Sequence, residues 1–378
     1  MINVEEFKYT IGNEVFIISY NILYAFTAFI ALISAFNYDS GRYSTYNYYK
    51  DKYLSKILIF LFIVLIGFRS YKVGTDTRNY FYFNWVRNFA SESTSEVIFV
   101  FIMNVIKSLH LSFTVFLLVI STLFFLAIYK SFILVSKIFQ ADVFWVLFCF
   151  FSLFFAQSLS INVIRQGLAL SFLLYALTLW ITLKKITIKL GVLCFLAVIT
   201  HSTSLIPILL YIFVLIFDKR IQMRYYFILY LLGIIVSFLN IGFLDISPAL
   251  LDILNDGKRA GYLTDTDQIY VTGFKPQFVA FNSIFLVLYY YIYRKFFIKN
   301  AAISLTYNQV LKYYLLASFI FFMAFQIPYS DRWGLFSWIV IPILMAPYFT
   351  LKESVVYYKI PIVLFFIFIY LFFIIYLT

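Results

Sequence analysis

Leu54-Ser-Lys-Ile-Leu-Ile-Phe-Leu-Phe-Ile-Val-Leu-Ile-Gly-Phe68 runs directly into Arg69-Ser-Tyr-Lys72-Val-Gly74-Thr75-Asp76-Thr77-Arg78-Asn79-Tyr80. A hydrocarbon stretch that ends in a dense polar segment reads as a membrane helix emerging into a loop. Apolar runs of about 17–25 residues, the length that crosses about 30 Å of hydrocarbon, recur from residue 15 to the end of the chain. The composition agrees: 64% hydrophobic, 12% charged, with a mean hydropathy of +0.94. That much apolar surface cannot be covered by a polar shell in water. The chain therefore reads as all-α, a polytopic integral membrane protein forming a single transmembrane domain over residues 1–378. The first run, 15–36, follows Glu5, Glu6 and Glu14 rather than a basic region, and no small-residue cleavage site succeeds it. It is expected to be a membrane helix rather than a signal peptide.

Spans are expected near 15–36, 54–68, 113–129, 143–160, 164–183, 187–200, 204–217, 225–242, 277–293, 311–327, 333–349 and 360–377. That makes about twelve crossings. Residues 97–112 are assigned to an amphipathic helix on the outer face, within an outer loop 69–112, and 187–217 to a tight hairpin with His201 at its outer tip. With those assignments Lys130, Lys137, Lys184, Lys185, Lys189, Lys219, Arg220, Arg224 and most other basic residues fall on one side, which is then the cytoplasm. Both termini and a large loop, 243–275, fall outside. A single long tilted helix over 187–217 is the rival, and it scatters the lysines over both sides.

The polar features that lysine placement leaves unexplained gather on the outer face. In the 69–87 segment, Gly74 permits a turn that other residues resist. Thr75 and Thr77 add hydroxyls, and Arg69, Lys72 and Arg78 surround the carboxylate of Asp76. An anionic, hydroxyl-rich ligand suits this set; the alternative is a solvated loop in which Asp76 pairs with Arg78 or caps a following helix. In Asn162-Val-Ile-Arg165-Gln166-Gly167, an arginine stands against hydrocarbon, which costs about 2.5–3.5 kcal/mol at the bilayer centre unless it is paired or faces a wet cavity. Its planar fork matches a phosphate, and a lipid headgroup is the simpler partner.

Thr200-His201-Ser202-Thr203-Ser204 is a polar break inside apolar sequence, where His201 is a candidate base, phosphate partner or structural histidine. The 243–275 loop carries Lys258 and Arg259, and Tyr329-Ser-Asp331-Arg332 arrives from a helix end.

Several chemistries are poorly supported. The sequence has no Walker A, GxGxxG, GxSxG or HExxH motif, and Asp265-Thr-Asp267 is a weak D-x-D on a loop. Cys149 and Cys194 lie inside apolar runs without CxxC or clustered His, so they read as packing thiols. The 49 Phe and 33 Tyr read mainly as core and lipid-facing residues. No basic, aromatic-interleaved tract points to nucleic acid.

Gly74-Thr75-Asp76-Thr77 followed by Asn79-Tyr80, then Ile164-Arg165-Gln166-Gly167-Leu168-Ala169, then Ile199-Thr200-His201-Ser202-Thr203-Ser204-Leu205, occur in an order that resembles the EpsG-like branch of bacterial polysaccharide polymerases of the Wzy type. The Tyr329 to Arg332 element lies near the C-terminus, as in that class, whereas 243–275 departs from it. The resemblance implies a GT-C-like multi-pass glycosyltransferase with outer-face loops in the bacterial cytoplasmic (inner) membrane. It would join oligosaccharide repeat units carried on undecaprenyl diphosphate into an O-antigen or exopolysaccharide chain, without metal or cofactor.

Arg69, Arg78, Arg165, Gln166, Lys258, Arg259, Arg332, Thr75 and Tyr80 would bind the diphosphates or substrate, and Asp76 and His201 would be the catalytic candidates. A chain-length regulator and a flippase would be companions, with membrane lipid around the chain. An O-antigen ligase-like transferase, differing only in acceptor, and a non-enzymatic flippase, for which the paired halves are not found, are the rival functions.

The hairpin assignment is checked by cysteine accessibility in intact cells. Cysteines at Lys185 and at Lys219, which flank 187–217, are both expected to react only after the cytoplasm is opened; labelling of the two from opposite sides would favour the single tilted helix.

Overall fold

The computed structural model describes residues 10–39, 45–87, 97–246, 272–297, 301–349 and 359–377, and the regular elements there are helices. Four of them are long and apolar enough to cross a membrane: Asn13–Asp39, Phe113–Phe139, Ile164–Leu183 and the 331–349 segment. A bent pair, a broken span or a re-entrant loop, adds a fifth only if it is one span, and shorter apolar helices of 10–17 residues accompany them. An all-helical membrane protein is therefore what the sequence folds into.

Five expected spans take a different form. The 54–68 run ends a helix that begins at Thr45, and the 113–129 run continues to Phe139. The 143–160 run is two helices, α6 (Val143–Phe151) and α7 (Phe154–Ile161), bent by 79° at Ser152–Leu153. The expected 311–327 span begins ten residues earlier, as part of a helix over Ala301–Met323, because Tyr307, Gln309 and Lys312 are buried against protein rather than left in a loop. The 333–349 run contains a helix over Asp331–Trp338 and another over Ile341–Met345.

The chain packs as two compact units, one comprising Met1–Leu205 with Met345–Thr378, the other Ile206–Leu344. In the first unit α5 (Phe113–Phe139) lies between α2 (Thr45–Gly67) and α8 (Ile164–Leu183), α9 (Ile188–Thr200) packs along α8, and α1 (Asn13–Asp39) pairs with the last described helix, Lys359–Leu377. Ring contacts fill the interior: Phe62 stacks on Phe151 with centroids 3.8 Å apart, and Tyr24 on Tyr370 at 3.4 Å. Offset stacking adds about 0.5–1.5 kcal/mol to the burial of each such pair. The outward faces stay apolar, as in Ile18, Ile22 and Phe29 of α1, each more than half exposed. That is a lipid-facing surface.

Local signals set the helix ends. Ser112 accepts a hydrogen bond from the Val115 N–H and Asp142 from that of Phe144, so each caps the helix it precedes. Gln140 and Lys184 adopt left-handed conformations at the ends of α5 and α8. Some Ser and Thr hydroxyls within helices are satisfied by their own helix: Ser131 donates to the Ala127 carbonyl at 2.7 Å and Thr178 to that of Leu174 at 2.9 Å. Asp39, at the end of α1, accepts from the backbone N–H groups of Lys359 and Ile360 and so caps the last helix.

In the second unit, the helix over Met223–Phe238 packs on that over Ala301–Met323. Asn282 is a buried hub: its amide nitrogen donates to Ser318 at 3.0 Å, its amide oxygen accepts from the Trp338 indole at 2.6 Å, and its carbonyl accepts from the Tyr314 hydroxyl at 2.8 Å. Lys312 pairs with Asp218 at 2.7 Å, and Gln309 donates to the other carboxylate oxygen at 3.0 Å. Both charges are nearly inaccessible, so their desolvation is offset only while both are present.

Asp218→Ala is therefore expected to lower stability by about 3–5 kcal/mol, whereas the double change Asp218→Leu with Lys312→Met is expected to recover most of it. Thermal unfolding in detergent measures both.

Candidate functional site

Two breaks in the helical path build the site in the first unit. After Gly67 closes α2, the chain leaves the helix and makes a short turn into α3 (Thr75–Asn79), which continues as a wider helical turn over Tyr80–Val86. After Ile161 closes α7, residues 162–163 turn the chain into α8, whose first turn holds Arg165 and Gln166. The structure docks the first break onto the second. The Thr75 backbone N–H donates to the Asn162 side-chain oxygen at 3.1 Å, and the Thr77 hydroxyl donates to the Ile161 carbonyl at 2.6 Å.

Two glycines permit this approach. Gly74 has φ +89, and a Cβ there would lie 2.4 Å from the Ile161 carbonyl oxygen and 2.9 Å from Asn162 Oδ1. A Cβ on Gly167 would lie 2.1 Å from the Leu159 carbonyl oxygen, so α7 and α8 touch backbone to backbone. Neither position has room for a side chain.

Arg69 lies beneath the loop, 1% exposed. It donates to the Ile66 carbonyl at 2.5 Å and to the Thr77 hydroxyl at 3.2 Å. Burial pulls its guanidinium down to about 9, which leaves it cationic at neutral pH. Arg165 is half-buried; its Nε donates to the Tyr80 hydroxyl at 2.7 Å, and its guanidinium carbon lies 4.7 Å from the centre of that ring. Tyr80 is buried against Phe99, with ring centroids 5.1 Å apart. Arg78 is exposed and lies 5.9 Å from the Tyr82 ring centre, Thr75 is exposed, and Asp76 is half-buried beside them. Gln166 is buried in the first turn of α8.

Arg69, Thr75, Asp76, Arg78, Tyr80, Arg165 and Gln166, taken from two sequence constellations, thus belong to one docked corner. Asn162 and Thr77 hold it together: Asn162 was not among the site residues expected from the sequence, and the Thr77 hydroxyl, expected to serve a ligand, is instead buried on the Ile161 carbonyl. Their signal was the pair of glycines flanking polar residues in both segments.

His201 follows the last residue of α9. A connection over residues 184–187 returns α9 along α8, and 13 residues rising about 1.5 Å each carry it about 20 Å back toward the end where Arg165 lies. His201 is extended, at φ −156 and ψ 111, and its N–H donates to the Ala197 carbonyl at 3.0 Å. The following 3-10 turn, Ser202–Ser204, packs against α8. The helical run over 187–217 is therefore broken at His201.

Arg332 belongs to the second unit, in the first turn of the Asp331–Trp338 helix, with its guanidinium carbon 4.7 Å from the Tyr329 ring centre. Nearby, Lys275 donates to the Ser330 hydroxyl at 2.7 Å; burial pulls its ammonium down, and Asp331 opposes that. Lys258, Arg259 and most of the 243–275 loop lie outside the described residues. The 97–112 segment forms α4, Val97–Ser108, which buries Phe99, Met103 and Ile106 at helical spacing. Among the described residues no group of His, Cys, Asp and Glu has the arrangement of a metal site.

The model of the EpsG family matches residues 52–378, a span that includes both halves of the docked corner, His201 and Arg332. No curated protein and no solved structure matches the chain.

Gly74→Ala is expected to cost about 1–3 kcal/mol, since it must move the 74–78 loop off the Ile161 carbonyl or strain its own backbone. A lower thermal midpoint of the purified protein in detergent checks this; an unchanged midpoint would mean that the corner has slack.

Proposed function

The chain belongs to the EpsG family, and from that premise we propose that it is a polysaccharide polymerase acting on lipid-linked repeat units. In this reading it is a GT-C-like glycosyltransferase whose shorter apolar helices complete about twelve crossings. Its docked corner faces the outside of the bacterial cytoplasmic membrane. The growing chain, held on undecaprenyl diphosphate, is transferred to a second lipid-linked unit. The bond between the anomeric carbon and the diphosphate breaks, a glycosidic bond forms to the acceptor hydroxyl, and undecaprenyl diphosphate leaves with the electron pair.

The observation that carries this reading is the docking of the 74–78 loop on the start of α8. It gathers Asp76, Arg78 and Arg165 at one corner of a chain with few charges. Leaving-group charge in such a reaction needs cationic donors that are already in place, and two guanidinium groups supply them without a divalent ion. The acceptor hydroxyl needs a base, and Asp76 is the carboxylate at hand; it takes the hydroxyl proton as the new bond forms. His201, returning along α8, is assigned to positioning the acceptor or the donor phosphate. Arg332 in the second unit, with Lys258 and Arg259, is assigned to the second lipid diphosphate. A chain-length regulator and a flippase are the proposed companions.

The test is gel analysis of surface polysaccharide in a deletion strain complemented with wild type, Arg165→Ala, Asp76→Asn or His201→Ala, with membrane abundance measured in parallel. The expected pattern is a ladder for wild type and single-repeat product for the variants, with long-chain polymer down about 100-fold or more for Arg165→Ala. Loss of all surface sugar on deletion would point to a flippase or ligase. Normal ladders from all three variants would move the chemistry to another part of the chain.

A further inference from the structure

The corner contains a hydrogen-bond relay whose members do not all face a ligand. From the end of α2, the Ile66 carbonyl accepts from Arg69, which also donates to the Thr77 hydroxyl, and that hydroxyl donates onward to the Ile161 carbonyl at the end of α7. Asn162 adds a parallel link through its side-chain oxygen to the Thr75 N–H. Arg69 and Thr77 are almost fully buried, at 1% and 0% exposure.

We propose that Arg69, Thr77 and Asn162 are positioning residues, a latch that sets where Asp76 and Arg78 stand relative to Arg165. Its consequence for activity rests on the polymerase reading; the latch itself rests on geometry alone.

Asp76 and Arg78 ride on α3, which continues into the Tyr80–Val86 turn, and the two together are still too short to hold their place without tertiary contacts. Arg165 rides on the 20-residue α8. The separation between these groups is therefore set by whatever joins the α3 segment to the α7–α8 turn and α8: the Thr77 and Asn162 hydrogen bonds, whose approach Gly74 allows, and the Tyr80 hydroxyl that accepts from Arg165 Nε.

The Thr77 hydroxyl uses its one proton on Ile161 and a lone pair on Arg69, so it is satisfied on both sides. Valine has the same shape and can do neither; serine can do both. Asn162 is needed as an acceptor, a role that aspartate can fill and leucine cannot. Arg69 spans two acceptors with a planar fork that a lysine ammonium does not reproduce. A buried arginine is an expensive way to fill space, and its retention makes sense where one geometry must be selected over others.

The test has two independent readouts. Val73, 1% exposed beside the loop, is replaced by cysteine in a Cys194→Ser background, where the remaining Cys149 is buried. Maleimide labelling of the purified protein in detergent then reports whether the loop is docked. Thr77→Val and Asn162→Leu are expected to speed labelling about tenfold, the loss of about one buried hydrogen bond. Thr77→Ser and Asn162→Asp are expected to leave it slow.

In cells, Thr77→Val is expected to lower long-chain polymer at least about tenfold at normal membrane abundance, and Thr77→Ser to restore it. Labelling rates that do not change with Thr77→Val and Asn162→Leu, or a Thr77→Ser variant as defective as Thr77→Val, would overturn the latch. Asp76→Asn, which keeps the side chain's shape, separates the two ideas, since it should abolish polymer while Val73→Cys stays protected. Polymer surviving in Asp76→Asn would sink the polymerase site and leave the labelling result standing.

Discussion

A helix break frees backbone N–H and C=O groups that apolar surroundings cannot satisfy, and the first unit is organised around closing two such breaks. At the bend between α6 and α7, Ser152 donates to the Phe148 carbonyl and accepts from Tyr24 of α1. At the turn between α7 and α8, the Asn162 and Val163 N–H groups return to the Ser158 carbonyl, and the Ile161 carbonyl is met by Thr77. Each closure recruits a group from another helix. Bending the chain at these points therefore obliges distant segments to come together, and a corner built from loop 74–78 and the start of α8 is the result.

The few buried charges follow the same rule. Lys312 and Asp218 neutralise one another with Gln309 in attendance, and Arg69 gives its two terminal nitrogens to a carbonyl and a hydroxyl, leaving its buried Nε without a partner among the described residues. Such arrangements add little net stability over apolar substitutes of similar volume. They discriminate strongly against wrong packings, because any alternative leaves a charge or a donor bare in hydrocarbon. A chain whose helices present mostly interchangeable Leu, Ile and Phe surfaces needs that discrimination, since apolar contact between helices is barely preferred over contact with lipid.

Much of this was legible in the residues. Apolar runs at membrane-spanning length announced a helical membrane protein, and the polar break at His201 marked a helix end that the structure also has. The docked corner's residues were visible as two separate constellations, but not as one. Their joining depends on Thr77 and Asn162, whose side chains are ordinary loop residues until a partner 84 or 87 positions away is supplied. The bend at Ser152 went unread for a related reason. Val143–Phe151 and Phe154–Ile161 form one apolar run with a single serine at the kink, and hydropathy carries no direction. The early start of the Ala301–Met323 helix was hidden by its own polar residues, which look like loop until Asp218 is placed against Lys312.

By itself the sequence determined the solvent, the class of fold and the family motifs, because burying apolar length and placing charge are additive properties of composition and order. Which short motifs share a corner, and which arginine is buried beneath a loop while another lies over a tyrosine ring, only the tertiary structure decided. Those outcomes turn on hydrogen bonds between backbone groups at helix breaks and side chains far away in the chain, and no local pattern encodes the partner.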